Sequence, residues 1–204
     1  MIVEINAAGC SDGCRHCAVD GRMPLGVFYS AGQLRQIRDE WGPLCIRYEP
    51  TAHPEFPEIY RPDISLEHGG WLATNGYGIA HRSDWEPMLA KMAADGIGTL
   101  SLTVHGLETH HDWFVCRPGA FQTIVTATRR AKEQGFQVTW QIFVDHKGVA
   151  DVGPLVKRAV QETGVEPSLD LPYHRVNQRL WAYEPYRLTL SDVRASGLPD
   201  MVSD

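Results

Sequence analysis

Thr99-Leu100-Ser101-Leu102-Thr103-Val104-His105 alternates polar and apolar residues one by one. Successive side chains of an extended strand point to opposite faces. Ser101, Thr103 and His105 therefore share one face, and Leu100, Leu102 and Val104 share the other. Gln137–Val144 repeats the pattern, with Thr139, Gln141 and Phe143 opposing Val138, Trp140, Ile142 and Val144. Further strand-like runs are Ile2–Asn6, Cys45–Glu49, Gly70–Asn75 and Pro167–Leu171, and helical patterns separate most of them. Strand–helix alternation predicts a parallel sheet with right-handed crossovers. Such a chain suits either an incomplete β/α barrel or an open doubly wound sheet. A sheet with helices on both faces reads as apolar on both, so the single polar face favours the barrel. The expected fold class is α/β: a partial (β/α)6 TIM-like barrel of parallel strands over residues 1–180, followed by a tail, 181–204, with one short helix near Ser191–Ala195.

The helical stretches carry apolar stripes at a spacing of three and four. Ser30 reads as the N-cap of a helix with Leu34, Ile37 and Trp41 on one face. Ser83-Asp84-Trp85-Glu86 reads as a capping box before Trp85, Met88, Leu89 and Met92. Phe121, Ile124, Val125 and Ala131 form a third stripe, with Thr128 its one polar member and Gly135 its C-cap. Val152, Leu155, Val156, Ala159 and Val160 form a fourth. The proline-rich crossover from Thr51 to Gly69 is expected to be irregular, with at most a short helix.

With 204 residues, 43% of them hydrophobic and 22% charged, the chain can bury one sizeable core. A net charge of −6 argues against a nucleic-acid or anionic-membrane binder, which would favour clustered Lys and Arg. No segment approaches the roughly 18 apolar residues that span a bilayer, and Met1–Asn6 has no leader-like composition. The default location is the cytoplasm. Five cysteines, an odd number in a chain read as unexported, fit metal binding better than a disulfide framework.

Three of the five lie in Ala8-Gly9-Cys10-Ser11-Asp12-Gly13-Cys14-Arg15-His16-Cys17, spaced C-x3-C-x2-C directly after the first strand. Such a loop can wrap three thiolates around one soft metal centre and leaves a coordination position open. Barrel chemistry sits at the C-terminal strand ends. There the chain places the cysteine loop, Glu49, Asn75, His105, Asp145 and Tyr173.

These residues resemble the radical S-adenosylmethionine (radical SAM) family, over roughly residues 2–173. Cys10-x3-Cys14-x2-Cys17, with the ring residue His16 before the last cysteine, resembles its CxxxCxxC signature. Arg47-Tyr48-Glu49-Pro50 stands where the family carries Gly-Gly-Glu-Pro, Ala73-Thr74-Asn75-Gly76 resembles its strand-three ending, and His111-Asp112 through Arg117-Pro118-Gly119-Ala120-Phe121 resembles its lead into helix four. The resemblance implies a [4Fe-4S] cluster on Cys10, Cys14 and Cys17, with S-adenosylmethionine at the fourth iron. Reductive cleavage of that cofactor would give methionine and a 5′-deoxyadenosyl radical, which would abstract hydrogen from a small-molecule or peptide substrate. An electron donor such as flavodoxin or ferredoxin is implied as a partner. Carried over residue by residue, Glu49 would receive the methionyl ammonium, with Asn75 beside it. His16 would lie near the adenine, Thr103 or Ser101 would reach the ribose or methionyl carboxylate, and Arg117 would pair with that carboxylate. Gln141 and Phe143 would flank the ribose and adenine. Arg47 and Tyr48 depart from the pattern, since they replace two glycines that let the backbone approach a ligand closely.

Other readings stay open from the residues alone. The thiols could hold zinc with His16 or an acidic fourth ligand, as in a non-catalytic zinc or iron–sulfur binding protein. A compact chain also suits an activase that installs a glycyl radical on a partner enzyme, or the truncated core of a longer enzyme. A tail without cysteines argues against members that use auxiliary clusters. His105, His110 and His111 could form a second metal site, but adjacent loop histidines are more often solvated. Cys116 is a candidate hydrogen-atom or thiolate donor, against a plain packing role, and Cys45 reads as core.

Overall fold

The fold is described from a computed structural model, for residues 2–7, 9–17, 28–61, 63–65, 70–170 and 186–195. Its strands are β1 (Val3–Asn6), β2 (Leu44–Arg47), β3 (Trp71–Thr74), β4 (Thr99–Val104), β5 (Gln137–Phe143) and β6 (Ser168–Asp170). Its helices are α1 (Ala31–Trp41), α2 (Tyr77–His81), α3 (Trp85–Ala94), α4 (Glu108–Val115), α5 (Ala120–Glu133), α6 (Val152–Thr163) and α7 (Leu190–Ala195). All strand pairs are parallel and follow chain order, β1 beside β2 and then β3-β4-β5-β6 as a four-stranded sheet. This is the expected α/β partial barrel. The expected strands run slightly long: Glu49, Asn75 and His105 lie just beyond the last paired residues and so stand on the C-terminal rim.

The alternation that predicts the barrel becomes its inside and outside. Leu100, Leu102, Val104, Val138, Trp140 and Ile142 are all buried, packed in one core with Phe121, Ile124, Val125 and Ala131 of α5. The opposite face, Ser101, Thr103, Thr139, Gln141 and Phe143, is only half-buried. Thr128, the polar member of the α5 stripe, is fully buried because it has two bonds to make. Its hydroxyl donates to the Ile124 carbonyl at 2.9 Å and accepts from the Trp140 indole at 2.9 Å. A hydroxyl back-bonded to the preceding turn is what lets the Trp140 N–H enter an apolar layer at little cost.

Two helix expectations change. Ser30 does cap α1 and forms a full capping box with Gln33, and Leu34 is buried, but Trp41 is 56% exposed. Trp41 is the last helical residue before the turn at Gly42, and the stripe leaves the core there. The expected box at Ser83–Glu86 is absent: α3 opens after Asp84 with no side-chain cap bond. The Asp84 carboxylate instead takes two bonds from Arg82, Nε at 2.7 Å and Nη2 at 2.6 Å. The helix thus opens one residue later than expected, and the residue at its cap position, Asp84, is turned to Arg82.

The crossover after β2 is irregular as expected, with 3-10 turns at Pro50–Ala52 and Glu58–Tyr60. It is nonetheless part of the core, with Phe56, Ile59, Tyr60 and Ile64 buried. Arg82 holds it through the carbonyls of His53 and of Pro54, the latter at 3.2 Å. Gly78 lets α2 lie against it: a Cβ there would sit 2.0 Å from the Thr51 carbonyl oxygen. Gly76, read as turn chemistry, is left-handed at φ 76 and precedes α2. Beyond β6, α7 is a short helix, and Leu188 and Val193 pack on the core. Among the described residues no helix is long and apolar enough to cross a membrane.

Replacing Thr128 by Val keeps the shape but strands the Trp140 N–H in the core. The expected loss is about 1–3 kcal/mol, measured as a lower urea midpoint with an unchanged m-value; an unchanged midpoint would remove the indole bond from the account.

Candidate active site

The C-terminal strand ends and the cysteine loop enclose a cavity of about 680 Å³, within the range of small-molecule sites. Cys10, Cys14 and Cys17 line it together, with His16, Glu49, Asn75, Thr103 and Phe143 from the sequence-derived set. Ser101, Arg117, Gln141 and Cys116 do not line it. Tyr173 lies outside the described residues.

The cysteine loop has no regular structure of its own and takes its shape from its neighbours. The last carbonyls of a helix have no intrahelical partner, and those of α4 are spent on this loop. Val115 O accepts from Gly13 N at 2.9 Å, Phe114 O from Arg15 N at 3.0 Å, and Trp113 O from Arg15 Nε at 2.9 Å. On the strand side Asn6 Oδ1 accepts from Gly9 N at 2.6 Å, and Asn75 Nδ2 donates to Ser11 Oγ at 2.9 Å. Asp12 is buried between the first two cysteines and carries a 2.6 Å ion pair to Arg117 Nε. Arg117 also donates to Thr123 at 3.0 Å. It therefore positions the loop. Asp12 itself escaped the sequence reading, although its place inside the motif was a signal.

Burial pushes the Cys10 thiol up to about 12, and the neighbouring Glu49 and Asp12 carboxylates add to the effect. Cys14 is raised for the same first reason, with Asp12 again adding. Half-buried thiols beside carboxylates ionise more readily with positive charge close by. A set of three soft donors on one cavity wall, needing positive charge and leaving space above, fits an iron–sulfur cluster. Among the described residues no group of three His, Cys, Asp or Glu side chains is set to hold a single metal ion.

Glu49 is 1% exposed. Oε1 accepts from Thr51 N at 3.1 Å, from the Thr51 hydroxyl, and from the Thr74 hydroxyl at 2.6 Å, while Oε2 accepts from Asn75 N at 2.6 Å. Burial raises this carboxyl, and the bonds to Thr51, Thr74 and Asn75 work against that without cancelling it. With one bond made, Oε2 keeps a lone pair for a further donor. Next to it Tyr48 is left-handed at φ 72, where two glycines were the expected pattern. The backbone here does adopt a glycine-like turn, and a tyrosine occupies it. Tyr48 and Arg47, with Glu4 and Asn6 of β1, line the cavity and were missed as site residues.

The histidines are not solvated. His105 and His111 are 3% and 2% exposed. His105 stacks on Phe114 with centroids 4.3 Å apart and lies 5.0 Å from His16, and its backbone N–H donates to His111 Nδ1 at 3.1 Å. His110 Nε2 pairs with Asp145 at 2.7 Å. Asp145 also accepts from Lys147 N and Gly148 N, at 2.8 and 3.1 Å, so this strand-end carboxylate shapes the loop after β5. Gln141 bonds Asp170. Cys116 is exposed and ends α4 in a left-handed turn at φ 56.

Burial lowers His105 well below its ordinary value, with nearby His16 adding to the effect, and burial lowers His111 to about 4. A histidine kept neutral costs nothing above its unfolded-state value near 6.5. Below that pH the unfolded chain takes up a proton that the folded chain refuses, so stability falls. The two together set an expected slope approaching roughly 3 kcal/mol per pH unit between pH 6 and 4. Urea denaturation at pH 7, 6 and 5 reads it, and equal stability at pH 7 and 5 would contradict the burial. Glu49→Ala should remove an acceptor from four donors and cost at least about 3 kcal/mol, by the same measurement at pH 7.

Comparison with known proteins finds no matching family model and no matching curated protein. Solved structures do match. One is anSMEcpe with bound S-adenosylmethionine and a Cp18Cys peptide, at TM-score 0.59 and 17% identity over 98% of this chain and 58% of that one. Another is Streptococcus suis SuiB bound to S-adenosylmethionine, at TM-score 0.63 and 17% identity over 98% of this chain and 46% of that one. This chain thus spans about half the length of the structures it is similar to. At such identity the likeness is one of fold, and the fold it supports is the partial parallel β/α barrel.

Proposed function

We propose that this chain is a radical SAM enzyme. Cys10, Cys14 and Cys17 would hold a [4Fe-4S] cluster, and the same cavity would take S-adenosylmethionine. The observation that carries this reading is the meeting of three thiols and a buried, partly bonded carboxylate on one cavity at the C-terminal rim of a partial parallel barrel. That both similar structures named above hold S-adenosylmethionine supports it.

When bound, the cluster and cofactor supply reductive cleavage to a 5′-deoxyadenosyl radical, chemistry that no closed-shell side chain provides. The protein's part is to bind and orient. The free lone pair of Glu49 Oε2 suits the methionyl ammonium. Asn75 donates to Cys10 Sγ at 3.7 Å, a contact that would temper charge on a cluster ligand. His16 is lowered to about 4 by burial and is neutral at pH 7, so it offers an aromatic face 6.1 Å from Phe143, suited to a flat base. Thr103 supplies a hydroxyl on the same wall. The substrate is a small molecule or a peptide, and the electron comes from a donor such as flavodoxin or ferredoxin.

Anaerobic reconstitution should yield about four irons and four sulfides per chain. Dithionite should then produce 5′-deoxyadenosine and methionine, and Cys14→Ala should abolish both. Stoichiometric zinc with no S-adenosylmethionine binding sinks the proposal, and cleavage at full rate in the Cys14 variant removes the ligand assignment.

A further inference from the structure

Barrel interiors are ordinarily filled by layers of branched aliphatic side chains. The β1–β2 wall of this cavity breaks that rule. In the parallel register Glu4 pairs with Cys45 and Asn6 with Arg47, so Glu4 and Arg47 share a face, and both line the cavity. Arg47 Nη2 lies 2.8 Å from Glu4 Oε1, with the two side chains 44% and 65% exposed. An exposed ion pair of this kind contributes about 0–1 kcal/mol to stability. The other carboxylates on the lining are buried: Asp12 pairs with Arg117, and Glu49 keeps only the Oε2 lone pair assigned above to the cofactor. Among the described lining residues, Glu4 and Arg47 form a charged pair that solvent reaches. Tyr48, left-handed at φ 72, adjoins them on the same wall. Non-glycine residues in that conformation carry a cost of about 1–3 kcal/mol and gather at ligand sites.

We propose that the Glu4–Arg47 pair is the recognition site for a zwitterionic substrate, a free α-amino acid. Its ammonium takes the place of Arg47 on Glu4, and its carboxylate takes the place of Glu4 on Arg47. The pair is preformed, so each partner is already aimed at the group of opposite sign, and Arg47 offers the planar fork that carboxylates prefer. The proposal rests on the reading above, in which the cysteine loop and Glu49 hold cluster and cofactor and leave this wall to the substrate. S-adenosylmethionine carries the same zwitterionic group, so the test must separate the two.

The test is saturation-transfer NMR on the full, reconstituted chain with S-adenosylmethionine saturating, using the common L-α-amino acids as probes, each beside its N-acetyl and carboxamide forms. At least one free amino acid should bind, and blocking either end should weaken it about tenfold or more, the scale of one charge-assisted bond. Arg47→Met and Glu4→Gln should each do the same, Arg47→Lys should restore part, and S-adenosylmethionine affinity should move less than about threefold. Circular dichroism checks that the variants fold. Absence of amino-acid binding, binding that survives both substitutions, or equal weakening of S-adenosylmethionine overturns the proposal. Iron content and S-adenosylmethionine binding of the wild-type chain report separately: their loss with amino-acid binding retained overturns the cluster reading alone.

Discussion

The Glu49 carboxylate joins two pieces of sheet that no described ladder joins. The strands form a pair, β1–β2, and a quartet, β3–β6. Glu49 leaves the end of β2 and takes its bonds from Thr74 and Asn75 at the end of β3. A buried carboxylate is tolerable only where several donors converge on it, so its presence dictates the geometry of both strand ends. The same anchoring reaches the cysteine loop, because Glu49 N–H donates to Gly9 O at 3.2 Å and Asn75 reaches Ser11. One side chain thus sets the distance between the barrel halves and, through its neighbours, the place of the thiols.

Helix α4 does the corresponding work from the other side. Its final carbonyls hold the loop, and the buried ring cluster around Phe114 fills the space beneath. The loop is therefore gripped between a helix end and strand ends, both rigid. That is the support a cluster site needs if its ligands are to be preorganised, since orientation comes from the surroundings of the ligands as much as from the ligands.

Much of this was legible in the chain. Alternation in residues 99–105 and 137–144 identified inside and outside, because a strand has only two faces and the burial contrast is large. Thr128 was recognised as the odd member of its stripe, but its partner, Trp140, is a tertiary fact. The Ser83 box failed because α3 opens one residue later, after Asp84, whose carboxylate Arg82 takes, and local pattern carries no ranking of such alternatives. The burial of His105 and His111 was missed for a related reason: α4 was unseen, and without it those histidines look like loop residues. Glu4 and Arg47 were passed over because a period-two strand reading records which face a residue is on, not whether that face is filled.

The open barrel also leaves a mark on how copies of this chain meet. Among the described residues β1 pairs only with β2, and β6 only with β5, so these two strands stand at the ends of the described ladders. Such edges invite pairing with strands of other molecules. Both are short, and each carries an acidic side chain, Glu4 on β1 and Asp170 on β6. Two copies approaching edge to edge would bring like charges together at spacings where sheet pairing is disfavoured. An incomplete barrel can thus remain open to a ligand without becoming a template for fibres.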